Sequence, residues 1–194
     1  TLFFTSAGAR QGEVVLAVNA LLMQLFTLYS YVMDGFAYAG EALSGRLIGA
    51  CNRPGLRLAV GRLFAWGGIM AVAFTLAYAL GGDAFLSLLT DEPHVVRASH
   101  SYVGWALAIP LAGTAAFVWD GVFIGATATR AMLLSMSVAA ATFFLVFYLL
   151  SPALGNHALW LAFLLYLLVR GLVQTGLARS VERKAFGNQP DGHP

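Results

Sequence analysis

From Leu16 to Val32 the chain is an almost uninterrupted apolar run, broken only by the amides Asn19 and Gln24. It continues directly into Met33–Gly49, MDGFAYAGEALSGRLIG, and the two together predict one long helix. That helix carries Asp34, Glu41 and Arg46. Asp34, Tyr38 and Glu41 are spaced i, i+4, i+7 and therefore share one face. A central Asp costs roughly 2.5–3.5 kcal/mol on membrane-insertion scales, while each Leu, Ile, Phe or Val returns about 0.3–0.6 kcal/mol. The roughly eight such residues between Leu16 and Val32 offset about one acid, not two. The second must face protein, a water-filled cavity or an interface. Acids at membrane depth mark ion and substrate pathways more often than packing.

The rest of the chain places this helix in a membrane protein. It is 59% hydrophobic and only 10% charged, with a mean hydropathy of +0.77, against about 25% charged residues in soluble domains. The basic residues are dispersed rather than gathered with aromatics on one patch, which argues against nucleic-acid binding. The single cysteine, Cys51, rules out an intrachain disulfide or a thiolate metal cluster and reads as a small packing residue. His94 and His100 lack ligand spacing, so no metal site is expected, and no P-loop, dinucleotide fingerprint or GxSxG elbow suggests an enzyme. The chain opens TLFFTSAGAR, apolar from the start and without a basic n-region. This predicts no signal peptide, and a C-terminal portion of something longer.

Read in order, Thr1–Ala7 predicts the last turns of a helix, and Gly8–Gly12 a loop. The first full helix spans about Val14–Ala50, and NRPG (Asn52–Gly55) is a turn, since Pro54 lacks an N–H and Gly55 tolerates positive φ. A second helix covers about Leu58–Leu80 and ends at Gly81-Gly82, followed by a short amphipathic piece, Phe85–Leu89. Thr90–Pro93 (TDEP) predicts a cap and first turn. The third helix spans about Val95–Ile124 with a kink at Pro110; Gly121 and Gly125 on it permit close helix approach. A fourth runs about Ala131–Leu150, stopping before Pro152, with a tight loop at Pro152–His157. The fifth spans about Ala158–Leu177 and carries Arg170. The polar tail, Arg179–Pro194, is expected to fray. The fold class is thus all-α, a polytopic membrane bundle of five complete helices plus the end of one.

Assigning alternate loops to opposite sides gathers Arg46, Arg53, Arg57, Arg62, Arg130, Arg179, Arg183 and Lys184 on one side, and Arg10 and Arg97 on the other. Cytoplasmic loops carry the excess of Lys and Arg, so the C-terminus is expected in the cytoplasm, with Cys51 on the reducing side.

Three motifs, DGFAYAGEA with GR shortly after (Asp34–Arg46), WDGVFIGAT (Trp119–Thr127) and GNHALWLAFL (Gly155–Leu164), resemble the DinF branch of the multidrug and toxin extrusion (MATE) transporters, and LAVNALLMQLF (Leu16–Phe26) fits the same branch. The resemblance covers nearly the whole chain in order. It implies a twelve-helix, two-lobe antiporter of the bacterial inner membrane, with residues 1–194 as the C-terminal six-helix lobe and the tail from about 179 in the cytoplasm. It also implies export of small organic cations against a proton or sodium gradient, with no cofactor beyond that ion. The partners it implies are the lipid bilayer and the N-terminal lobe, which this chain lacks together with the first-helix acid often assigned proton coupling. Asp120 matches a tenth-helix carboxylate that related branches use in cation coupling; Asp34 and Glu41 belong to the DinF-type pattern.

The ion-coupling or substrate-cation candidates are therefore Asp34, Glu41 and Asp120. Against this stands a structural hydrogen bond or a cluster with Arg46 for the first two, and a helix-end role for Asp120. Met33 and Phe36, with Met23, are candidates to line an apolar drug cavity, or else core and lipid-facing filling; Tyr38 offers a cation–π or hydroxyl contact between the two acids. Arg170 needs a partner or a path to the interface. His157 reads as a helix-start residue. Rival readings are a lipid-linked precursor flippase, which needs a cationic cavity, an intramembrane aspartyl protease using Asp34 and Asp120, which lacks the GxGD sequence, and a non-transporting remnant.

Overall fold

A computed structural model describes residues 12–89 and 92–187. The expected stub at Thr1–Ala7, the loop before Gly12, Thr90 and Asp91 of the cap, and the end of the tail lie outside the described residues. The elements are α1 (Glu13–Gly49), α2 (Arg53–Leu89), the short α3 (Pro93–Ser99), α4 (Val103–Gly125), α5 (Thr129–Leu154) and α6 (Asn156–Phe186). Five of these are long and apolar enough to cross a membrane. With 37 residues, α1 extends about 55 Å at a rise of about 1.5 Å per residue, well beyond a hydrocarbon core of about 30 Å.

The most enclosed helix is α4. It packs against α1, α2 and α6, while α5 rests mainly on α6 and buries only Ser135 and Ala139. The α1–α4 crossing is the most extensive pairing, and small residues make it possible. A Cβ on Gly121 would collide with the Ala37 carbonyl, and one on Gly125 with the Ser44 hydroxyl and the Glu41 carbonyl. Gly40 and Ser44 are the buried small residues on the α1 side. Ser44 donates to the Gly40 carbonyl at 2.6 Å and faces the Val122 carbonyl of α4 at 3.3 Å. Small residues four apart on both helices let the backbones approach where lipid offers no hydrophobic drive to association.

Buried polar groups fasten the same helices. Tyr29, fully buried, donates to the Pro110 carbonyl at 2.8 Å and meets the Thr114 hydroxyl at 2.9 Å. Pro110 thus sits inside α4 with its own carbonyl held by two side chains, since Thr114 donates to it as well at 2.7 Å. Tyr78 of α2 donates to the Leu25 carbonyl of α1 at 2.7 Å. Toward the start of α1, Asn19 exchanges two hydrogen bonds of 2.8 Å with Asn156, and its Oδ1 also accepts from Trp160 Nε1 at 2.9 Å.

Several helix ends differ from the sequence expectation. Arg53, not Leu58, starts α2: the Asn52 side chain accepts the Gly55 N–H at 2.8 Å as an N-cap, and Pro54 fits the first turn because its missing N–H was unpaired anyway. The same helix runs through Gly81-Gly82 to Leu89, so the amphipathic piece is its end. Two glycines weaken a helix without removing its hydrogen bonds, and buried Leu86 anchors the last turns. The single helix expected from Val95 to Ile124 is two, split at His100–Tyr102, while Pro93 is at the first helical position of α3 as expected. At the split Ser99 turns its hydroxyl onto the Val96 carbonyl, and the His157 ring packs on Tyr102 and accepts Trp105 Nε1 at 3.0 Å. His157 is indeed in the first turn of α6. Pro152 is inside the last turn of α5, which ends at Leu154, and the loop shrinks to Gly155 at φ 53°. The tail is helical to Phe186, beyond the expected Leu177. Cys51 is exposed rather than packed, in the α1–α2 turn at φ 52°.

Arg57 and Arg179 line one space at one end of the bundle, Arg130 and Lys184 an adjoining one. The α1–α2 turn, the α4–α5 turn and the end of α6 therefore lie on the same side, as the alternation of loops required.

Candidate ion-coupling site

Two kinds of acid stand at membrane depth. The first is Asp120, in the second half of α4. Its carboxylate is ion-paired with Arg170 of α6 and accepts Gln174 Nε2 at 2.7 Å. Arg170 and Gln174 are four apart on α6 and so present one polar patch to α4. The Asp120 and Arg170 side chains are each only 16% exposed, and Gln174 is fully buried. Arg170 Nε and Gln174 Oε1 have no hydrogen-bond partner among the described residues. One turn along α6, Thr175 takes the Trp119 indole N–H at 2.8 Å. The α4–α6 contact is therefore a polar seam of neighbouring residues, Trp119-Asp120 against Arg170, Gln174 and Thr175.

Asp34 and Glu41 of α1 are different. Both are half-buried, and neither carboxylate takes a hydrogen bond or an ion pair from a described residue. Glu41 makes no pair with Arg46. Between them on the same face, the Tyr38 ring is 70% exposed. Across α4 and α6 the structure thus brings together Asp120, Arg170 and Gln174, and leaves Asp34 and Glu41 on α1, about two turns from each other.

Of the three lining candidates, Met33 is fully buried in the packed core, its methyl group beside Gly67 of α2, where Thr114 and Val118 of α4 also converge. It fills the core in this conformation rather than facing a cavity. Phe36, like Met23, is half-buried against that core, and Tyr38 alone presents most of its ring outward. The pairing of Asp120 with Arg170 was not read from the sequence. The signal was present: two lone, oppositely charged residues on different apolar helices neutralise each other at less cost than either alone.

A family profile described as MatE matches residues 1–150. The chain is 44% identical, over 174 residues, to DNA damage-inducible protein F of Escherichia coli (strain K12), an alignment that covers 87% of this chain and 36% of that protein. It is also similar to two proteins of Arabidopsis thaliana: Protein DETOXIFICATION 45, chloroplastic (24% identity; 93% of this chain, 32% of that protein), and Protein DETOXIFICATION 43 (25% identity; 88% and 32%). The chain spans about a third of the length of these relatives. With five apolar spans, a match over most of its length and this level of identity, the chain belongs to the MatE family of integral membrane proteins.

Proposed function

We propose that this chain is the C-terminal lobe of a longer secondary antiporter, which exports organic cations and other xenobiotics in exchange for protons or sodium. It catalyses no covalent reaction. Its membrane is the bacterial inner membrane, with the end of α6 in the cytoplasm. The observation that carries the reading is the pair Asp34 and Glu41, without a partner among the described residues, flanking an exposed Tyr38.

A half-buried acid with no counter-ion among the described residues leaves an open place for a cation. Such a place is what the exchange chemistry of an antiporter needs. A proton or sodium ion on Asp34 or Glu41 cancels the charge that attracts a cationic substrate, and Tyr38 offers a ring face to that substrate. Ion and substrate are coupled because each prefers a different charge state of the same side chain. Asp120, in contrast, is already neutralised by Arg170. In this scheme it shapes the field around Asp34 rather than taking the ion itself. The same pairing weakens two of the three rivals. A flippase for phosphorylated lipid precursors needs an uncompensated cation at membrane depth, where Arg170 is compensated. An aspartyl protease needs two acids sharing a proton, and Asp120 is committed to Arg170 and Gln174.

The test is gradient-driven dye efflux from vesicles containing the full-length protein. Asp34→Asn and Glu41→Gln should abolish or reduce efflux with thermal stability unchanged or raised, since no partner is stranded; Glu41→Gln should act less completely, lying nearer the membrane surface. Asp120→Asn should lower stability as well as efflux. Unimpaired efflux in both the Asp34 and Glu41 variants would refute the assignment.

A further inference from the structure

The basic end of the bundle holds a space that the transport scheme does not use. It is a cavity of about 370 Å³ between α1, α2, α4 and α6. Its walls are apolar, with Leu56, Val60, Phe123 and Val181 among them, and Trp119 and Thr175 are the lining residues of α4 and α6 farthest from the basic helix ends. Its mouth carries Arg57, Arg179 and Glu182. From Thr175 to Glu182 along α6 is about 10 Å at the helical rise, so the cavity reaches roughly that far toward the bilayer centre.

The charges at the mouth do not balance. Glu182 accepts Arg53 Nε at 2.7 Å and Arg57 Nε at 2.8 Å, so one carboxylate serves two guanidinium groups. Arg57 remains 56% exposed. Arg179 is exposed and has no carboxylate partner among the described residues. A second space of about 850 Å³ adjoins the first along Ile48, Ala126, Val181 and Ala185, and is lined by Arg130 and Lys184. Four basic side chains thus surround the two spaces against one acid.

We infer that this end of the bundle binds an anionic glycerophospholipid of the adjacent leaflet. One acyl chain enters the cavity toward Trp119, and the headgroup phosphate rests on Arg57 and Arg179. The charge complementarity selects the headgroup: basic pockets between transmembrane helices hold anionic headgroups, and arginine forks match phosphate geometry. The apolar interior selects an amphiphile over a free anion. The site ties the start of α2 to the end of α6, two elements also joined here through Glu182.

Native mass spectrometry of the full-length, delipidated protein in mild detergent tests this, with phosphatidylglycerol and phosphatidylcholine of equal chain length as probes. Wild type should retain phosphatidylglycerol at least fivefold more than phosphatidylcholine. Gly61 lines the cavity, and a side chain added there meets nothing within 4 Å, so Gly61→Leu should fold and fill the space. It should remove the bound phospholipid. The double variant Arg57→Gln, Arg179→Gln should remove the headgroup preference. Glycerophosphoglycerol, which has no acyl chains, should not compete at the same concentration. Equal retention of the two lipids by wild type, undiminished binding in Gly61→Leu, or displacement by the chain-free headgroup would each overturn the proposal.

Discussion

Gly121→Ala adds one methyl group at the α1–α4 crossing, and the structure gives the direction and size of its effect. The new Cβ would collide with the Ala37 carbonyl oxygen and crowd its carbonyl carbon and Cα at 2.6 and 2.7 Å. These are backbone atoms of α1, and no side chain can rotate out of the way. The helices must separate, and with them the Ser44 contact to Val122 and the Tyr29 bonds to Pro110 and Thr114 two turns further along. Overpacking of this kind typically costs about 1–3 kcal/mol. Helix propensity works the other way, by up to about 1 kcal/mol in favour of alanine, so the net loss should reach about 2 kcal/mol, the clash being with backbone that cannot rotate away. Gly35 supplies the control on the same α1 helix: a Cβ there meets nothing within 4 Å, leaving only the propensity gain. Thermal unfolding of the full-length protein in detergent should therefore move in opposite directions, down for Gly121→Ala and up or level for Gly35→Ala. Equal stability of the two variants would refute the close-crossing argument, as would a Gly121→Ala protein as stable as wild type.

Three further outcomes follow from the same contacts. Asn19→Ala strands buried Asn156 and the Trp160 indole, and should lower stability by about 1–3 kcal/mol in the same unfolding assay. Arg170→Leu leaves Asp120 without its counter-ion, at a cost of up to about 3–5 kcal/mol; the double variant with Asp120→Leu should recover most of that loss, a sign that a double-mutant cycle reads directly. Glu182→Gln removes the acid shared by Arg53 and Arg57. Because Arg57 is largely in water, the loss should stay below about 1 kcal/mol and shrink further at high salt.

What could be read from the sequence follows the physics that is local to it. The five spans were legible because an apolar run of membrane length permits few alternatives to a helix. The close approach at Gly121 and Gly125 was legible from their spacing, although its α1 counterpart, Gly40 and Ser44, was not singled out. Helix ends were misplaced wherever tertiary contacts override local signals. Gly81-Gly82 reads as a stop but is spanned because Leu86 is buried, and His100–Tyr102 reads as helix but breaks where His157 meets Tyr102 and Trp105. The polar clusters that fasten the bundle, Tyr29 with Pro110 and Thr114, Asn19 with Asn156 and Trp160, and Asp120 with Arg170, join residues 50 to 141 positions apart. No periodicity or spacing rule reaches across such distances. The same limit applies to Met33, whose type suits a drug cavity and whose place on the helix puts it in the core.

The contrast between Asp120 and the α1 acids bears on why a transporter lobe would keep both. Inside a low-dielectric bundle a charge is tolerated when its partner is fixed beside it, and the Asp120–Arg170 pair is nearly neutral overall. Asp34 has no hydrogen-bond or ion-pair partner among the described residues. In the proposed scheme its charge state therefore depends on what arrives from solution and on how firmly Arg170 holds Asp120. In that scheme a movement of α6 against α4 that loosened this pair would leave a second uncompensated carboxylate in the bundle, raising the demand there for a cation. A movement that tightened the pair would lower that demand. On the proposed function, the ion pair would then be more than a fastening between two helices: it would convert a relative shift of α4 and α6 into a change in cation affinity on α1, which is the form of coupling that alternating access requires.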